Sequence, residues 1–239
     1  MHYNLNQTFQ INFFCRGCFS LPPKPKFTKE EIVEAALRLV SREGLGALTT
    51  RNLGTELGSS ARPIFTVFRN MEQVQQEVRR AAQERLNDYL RRAADFTPAF
   101  KEVGMRMIRF AQEEPRLFQL LFMTEGATYE GFDDVFAGLG EMEALCIRLI
   151  CGDYGLPQQD AAFLFRHTWM NCFALGVLCV TRRVQFTEEE IARQLGEEFM
   201  AMLLFLRSDL RKNPPIVPMR ESQKNGFEVG SVWKTLEET

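Results

Sequence analysis

The sequence predicts an all-α protein: a three-helix head carrying a helix-turn-helix, followed by a six-helix body. Three observations predict it. From Met71 onward every long segment repeats apolar residues at helical spacing, and none alternates as a strand. The stretch LTTRNLGTELGSSARPIFTVF, residues 48–68, reads as two short helices joined by a tight turn. Cap residues and prolines then cut the remainder into pieces of helix length.

Residues 1–26, MHYNLNQTFQINFFCRGCFSLPPKPK, have no helical period and end rich in proline, so they read as an extension outside the fold. Cys15 and Cys18 form a C-x-x-C. No second C-x-x-C or paired histidines follow nearby, so an incidental pair fits better than a metal or redox site. Lys24 and Lys26 suit either a basic arm on DNA or a solvated linker. No basic n-region precedes the apolar part of residues 1–20, and no signal-peptide cleavage pattern follows.

The first helix is predicted over 27–43. Ile32, Val33, Ala36, Leu37 and Val40 make its apolar stripe, Thr28 caps it ahead of Glu30 and Glu31, and Gly44 ends it. In the helix-turn-helix, Leu48, Leu53 and Leu57 share one face of the first helix, while Ile64, Val67 and Phe68 share one face of the second. Thr49 is placed to cap the first helix, and Gly58 supplies the left-handed turn. Gly54 is expected where the two helices cross. Ser60, Ala61, Arg62, Phe65 and Thr66 remain for the outer face, a set suited to a major groove.

Asn70 and Gln73 make an N-x-x-Q capping box for a charged helix over 71–94, which would link head to body. Pro98 opens a helix ending near Glu114, and Pro115 opens a short apolar one to Met123. After the loop TEGATYEG come helices over 132–151, from Pro157 to Thr181, and over 188–209 behind the cap Thr187. Residues 211–239, with three prolines, read as a tail. The domains expected are therefore 1–26 extension, 27–73 DNA-binding head, 74–210 body and 211–239 tail. Residues 161–180 are apolar enough to test as a membrane span. Arg166, His167 and Asn171 in its middle favour a buried or subunit-interface helix, with Ala174 and Gly176 permitting close packing against a partner. His167 itself is expected to be buried.

The 239 residues are 45% hydrophobic and 25% charged, enough for a sizeable core and too apolar for a disordered chain. A net charge of -2 announces no nucleic acid overall, but residues 24–80 hold ten Lys and Arg against seven Asp and Glu. Six cysteines in a chain with ample core fit reduced thiols in the cytoplasm. Only His2 and His167 are histidines, which argues against a His-based metal site or a Ser-His-Asp triad. Neither phosphate-binding glycine motif appears, so neither an enzyme nor a cofactor is expected.

The head resembles the DNA-binding domain of the TetR family of bacterial transcriptional regulators. The likeness rests on AALRLVSREGLGALTTRNLGTELGSSARPIF, on Phe68 closing the recognition helix, and on NMEQV opening the next, covering about residues 27–78. RHTWMNCFALGVLCVTRRVQFTEEEI is similar to the last two helices of one TetR-type regulatory domain. The resemblance implies a homodimer whose last two helices pair across a two-fold axis, a palindromic DNA operator, and a small-molecule effector held by the middle helices. Carried over by position, Thr49 and Arg51 would touch phosphates, and Ser60, Arg62, Phe65 and Thr66 would face DNA. Two positions depart from the pattern. A common tyrosine is here Phe65, which lacks the hydroxyl, and a common lysine is here Met71, which leaves only backbone N–H groups for a phosphate.

In the body Phe110, Phe118, Phe122, Trp169, Met170 and Phe173 form an aromatic and methionine set suited either to core or to an apolar effector pocket. Two alternatives stay open. One is a thiol redox sensor of the same fold using Cys172 with Cys179 or Cys146 with Cys151, pairs too far apart along a helix for an easy disulfide. The other is a helical protein-interaction module that has lost DNA binding.

Overall fold

The computed structural model describes residues 26–124, 136 and 139–208. Residues 1–25 of the expected extension, the expected tail, the C-x-x-C, Lys24 and most of the TEGATYEG loop lie outside them. The described residues form eight α-helices with short 3-10 turns and no strand. They divide into two compact units between Ala81 and Ala82, within one helix rather than at the expected 73/74 boundary.

Unit 1 is built around α1 (Lys29–Glu43). Thr28 and Glu31 form a reciprocal capping box at its start, and Gly44 (φ 90°) lets the chain leave its end. Ile32, Ala36, Leu39 and Val40 bury its inner face. Helix α2 (Thr50–Glu56) follows, with the Thr49 hydroxyl accepting the Asn52 N–H at 3.2 Å. Leu48 and Leu53 are buried, and Leu57 only partly. Ile64, Phe68, Val74 and Val78 complete the core.

Gly58 turns the chain in the left-handed region (φ 59°) as expected. Gly54 does something different from the expectation. A Cβ there would meet backbone of the turn itself, the Ser59 carbonyl at 3.1 Å and the Ala61 nitrogen at 3.2 Å, so the close approach is to the turn and not to the next helix. The second helix of the motif is a single 3-10 stretch, Arg62–Thr66. Pro63 lies in its first turn, where it has no N–H to give to the chain four residues back. The Ile64 N–H bonds to the Ala61 carbonyl at 3.1 Å instead, an i to i−3 pattern.

Helix α3 (Met71–Arg91) runs through the division, so one helix belongs to both units. The Gln73 N–H donates to Asn70 Oδ1 at 2.9 Å, and Gln73 Oε1 accepts the Arg69 N–H at 3.0 Å, which is the expected capping box displaced by one residue.

Unit 2 contains α4 (Ala99–Glu113), α5 (Pro115–Phe122), α6 (Glu141–Tyr154), α7 (Gln158–Val180) and α8 (Glu188–Arg207). The helix expected over 132–151 is broken by a turn and runs further: Phe136 is helical, and 132–135 and 137–138 lie outside the described residues. Residues 139–140 are a turn, with Gly140 at φ 52°, and the helix continues to Tyr154, where Gly155 (φ 65°) stops it. Helix α7 is the one described helix long and apolar enough to cross a bilayer. It packs against α4, α5, α6 and α8 and buries Leu164, Phe165, Trp169, Cys172 and Leu175, as the apolar face of a helix in a bundle does.

Two expectations for α7 change. The space above Gly176 is filled by the ring of Phe118 of the same chain, whose Cζ would stand 2.6 Å from an added Cβ, so no partner occupies it. His167 is exposed and rests 4.3 Å, centroid to centroid, from Phe163. It lies on the stripe Phe163, His167, Met170, Ala174, which faces away from the core residues Leu164, Phe165, Thr168 and Cys172.

Candidate DNA interface and effector cavity

In unit 1 the residues expected to face DNA are available to it. Thr49, Arg51, Ser60, Arg62, Phe65 and Thr66 are exposed, while Ala61 and Met71 are partly buried. Phe65 is 46% exposed and so free to pack on an apolar group such as a thymine methyl. The Thr49 hydroxyl accepts the cap bond, so its own hydrogen remains for a phosphate oxygen. The Thr66 hydroxyl is committed differently: it donates to the Pro63 carbonyl at 2.6 Å, leaving its methyl and lone pairs outward.

The ion pairs sort the cations of this unit. Glu77 binds Lys29 and Arg80 at 2.6 Å each. Glu56 binds Arg42 at 2.9 Å and Arg38 at 3.6 Å, and Glu34 binds Arg38 at 3.1 Å. The guanidinium of Arg42 holds the Glu56 carboxyl below its usual range, and the ammonium of Lys29 does the same to Glu77. The acids thus neutralise cations of α1 and the middle of α3. Among the described residues Arg51, Arg62 and Arg69 have no acidic partner, and all three belong to the helix-turn-helix or the chain just after it. Lys26 folds back so that its Nζ donates to Ser59 Oγ at 2.9 Å, placing another positive charge against the turn. The local excess of charge visible in the sequence is therefore concentrated where phosphates would lie. Sequence reading did not single out Arg69; its signal was a basic residue directly before a helix N-terminus.

In unit 2 the aromatic set divides. Phe118, Phe122, Trp169 and Phe173 form a contiguous ring cluster, with Phe118 and Phe122 at 4.9 Å and Phe122 and Trp169 at 6.3 Å. Phe110 is buried against Tyr89 at 6.2 Å, and Met170 is exposed. Of these six only Trp169 borders a cavity. That cavity, ≈ 80 Å³, lies among Phe100, Val103 and Met107 of α4, Phe165 and Trp169 of α7, and Phe199 of α8. Gly104 and Gly196 also border it, and no other atom stands within 4 Å of where a Cβ on Gly196 would sit. Missing side chains make part of this space, a feature that a search for aromatic stripes passes over.

Burial holds two of the four described thiols inert. It pushes Cys146 and Cys172 up to about 12, so both stay protonated at neutral pH and are poor nucleophiles.

No family model matches the sequence, and no curated protein matches it. Among solved structures, a protein of Mesorhizobium loti MAFF303099, described as a candidate TetR-family transcriptional regulator, is similar to this chain at 18% identity and a TM-score of 0.52. The match covers 73% of this chain and 94% of that one. At that identity the likeness concerns the path of the chain: the all-helical fold built here by α1 to α8 is the fold of that TetR-family structure.

Proposed function

We propose that this protein is a sequence-specific DNA-binding transcriptional regulator, a cytoplasmic homodimeric repressor of palindromic operators released by a small apolar effector. The observation that carries the reading is the charge sorting in unit 1. Acids cancel the cations away from the helix-turn-helix, and Arg51, Arg62 and Arg69 remain uncancelled beside the exposed Ser60, Phe65 and Thr66. Arg62 is the candidate reader of a guanine edge, Phe65 packs on a thymine methyl, and Thr49, Arg51 and the first-turn N–H groups at Met71 take phosphates.

One short recognition segment makes few base contacts, each good pair giving about 1–3 kcal/mol of discrimination. Two copies are therefore needed, and a two-fold dimer sets them in successive major grooves about 34–36 Å apart. An exposed apolar stripe supports the dimer: Met170 and Ala174 on α7, with Met200 at 50% and Leu204 at 61% exposure on α8. The fold-neighbour described as a TetR-family regulator supports the same reading. Effector release follows from linkage: a ligand lowers operator affinity by as much as it prefers the conformation that binds DNA less well. The continuous helix α3, shared by both units, is the element through which it would act.

Selection of binding sites from random DNA, followed by sequencing, tests the reading. Inverted half-sites with centres about one helical turn apart support it. The second reading, an interaction module, is favoured by the exposed Phe65 and by Met71; recovery of no enriched sequence would leave it standing.

A further inference from the structure

The cavity of unit 2 carries chemical information beyond its apolar walls. No Asp, Glu, Asn or Gln lines it. The polar groups that do are Lys101, Tyr154, Thr168, Trp169 and Cys172. Thr168 is committed to its own helix, its hydroxyl donating to the Leu164 carbonyl at 2.8 Å. Burial raises the Tyr154 phenol and the Cys172 thiol, so both keep their hydrogens at neutral pH. The Trp169 indole is a donor only, and so is the Lys101 ammonium. Every ionisable group on the lining is neutral or positive.

Lys101 is exposed and has no acidic partner among the described residues. It is both a lining residue of the cavity and open to water, and a long basic side chain can lay its stem on apolar surface with its head in water. Of the acids next to lining residues in the chain, Glu198 does not border the cavity and the other three are engaged elsewhere. Glu102 binds Arg106 and Arg109 at 3.0 Å each, Glu197 binds Arg193 at 3.3 Å, and an oxygen of Asp153 accepts the Phe100 N–H at 3.2 Å. The cavity is ≈ 80 Å³, roughly half of an apolar cavity that admits benzene, and so has room for about three to five aliphatic carbons.

We propose that this cavity binds small aliphatic monocarboxylates, the tail among Phe100, Met107, Phe165 and Phe199 and the carboxylate beside the Lys101 ammonium. The inference names the ligand class of the effector site and rests on the proposed function only for its regulatory consequence, since binding is measured without DNA. Lys101 lies in the first turn of α4, where a cation is unfavourable against the helix dipole, and a bound carboxylate would relieve that conflict.

Calorimetric and thermal-shift titrations of the full chain with pentanoate, 1-pentanol, pentylamine and benzoate test it. Pentanoate is expected to bind saturably, about fivefold tighter than the alcohol at low salt, as one solvent-exposed ion pair allows. The difference shrinks with added salt, and the amine and benzoate do not saturate. Lys101→Met should make acid and alcohol equal, and Gly196→Leu, which fills the cavity, should abolish both. Amine binding as tight as the acid's, an unchanged acid-to-alcohol ratio in Lys101→Met, or no binding of any of the four overturns the proposal. Should a variant not fold, the ratio of acid to amine on the unsubstituted protein still decides. Operator binding is scored separately on the ligand-free protein: its absence, with pentanoate binding intact, would refute the regulator and leave the site.

Discussion

Gly176→Ala is the sharpest stability test of the packing in unit 2. The new Cβ would stand 2.6 Å from Cζ and 2.9 Å from Cε2 of Phe118. Carbon atoms pack best at about 3.5–4.0 Å, so the overlap approaches 1 Å. The ring has little room to retreat: Phe118 is 0% exposed and lies 4.9 Å from Phe122 and 6.4 Å from Phe173, centroid to centroid. Overpacking of this kind costs about 1–3 kcal/mol. Replacing glycine in a helix interior returns about 1 kcal/mol. A net loss of up to about 2 kcal/mol follows, or up to about 8 °C in Tm for a chain of this size. The assay is thermal unfolding of the variant, of Phe118→Leu and of the double variant. Leucine removes the colliding ring edge, so alanine at 176 should cost less in that background, with a coupling of about 1 kcal/mol or more. A raised Tm for Gly176→Ala alone, or strict additivity, would refute the reasoning.

Other outcomes follow from single contacts. Thr28→Ala removes one half of the capping box on α1 and should cost about 1 kcal/mol in chemical denaturation. Arg109 bonds both Glu188 oxygens, at 2.7 and 3.0 Å, and holds that carboxyl below its usual range. This pair favours the folded state at neutral pH and is lost as pH falls through the lowered value, so Glu188→Gln should lose less stability on acidification than the unsubstituted protein. Cys146 and Cys172, pushed up to about 12, should resist iodoacetamide in the native protein and react on unfolding, read peptide by peptide in a mass spectrometer. Arg62→Ala should weaken operator binding by about 1–3 kcal/mol and relax the base preference at its contact.

The legible parts of the fold were those written in local chemistry. Thr28, Thr49, Asn70 and Thr187 cap helices because short polar side chains reach orphan N–H groups wherever a helix starts. Gly58 turns because glycine alone enters the left-handed region freely. The length of the recognition segment was less legible, since Pro63 is compatible with a helix start yet withholds a bond that a full α-turn needs. The turn at Gly140 and the stop at Gly155 were likewise hidden inside an apolar run. Buried Phe118 and cavity-lining Phe165 carry the same periodic signature in sequence. What separates them is which neighbours leave space: the position of a Cβ on Gly196 is open while that on Gly104 is closed by Leu195 at 3.1 Å, which shows only once α4 and α8 are side by side. Exposure of Arg51 and Arg62 was foreseeable. Their lack of acidic partners was not, because it depends on Glu56 and Glu77 being drawn to other cations.

The central claim is DNA reading by unit 1, and fluorescence anisotropy with a palindromic operator against its scrambled sequence tests it most directly, at two salt concentrations and with Arg62→Ala alongside. Binding at least about a thousandfold tighter to the palindrome is expected, weakening steeply with salt and losing part of its sequence preference in the variant. Equal affinity for both sequences, or no salt dependence, would contradict it.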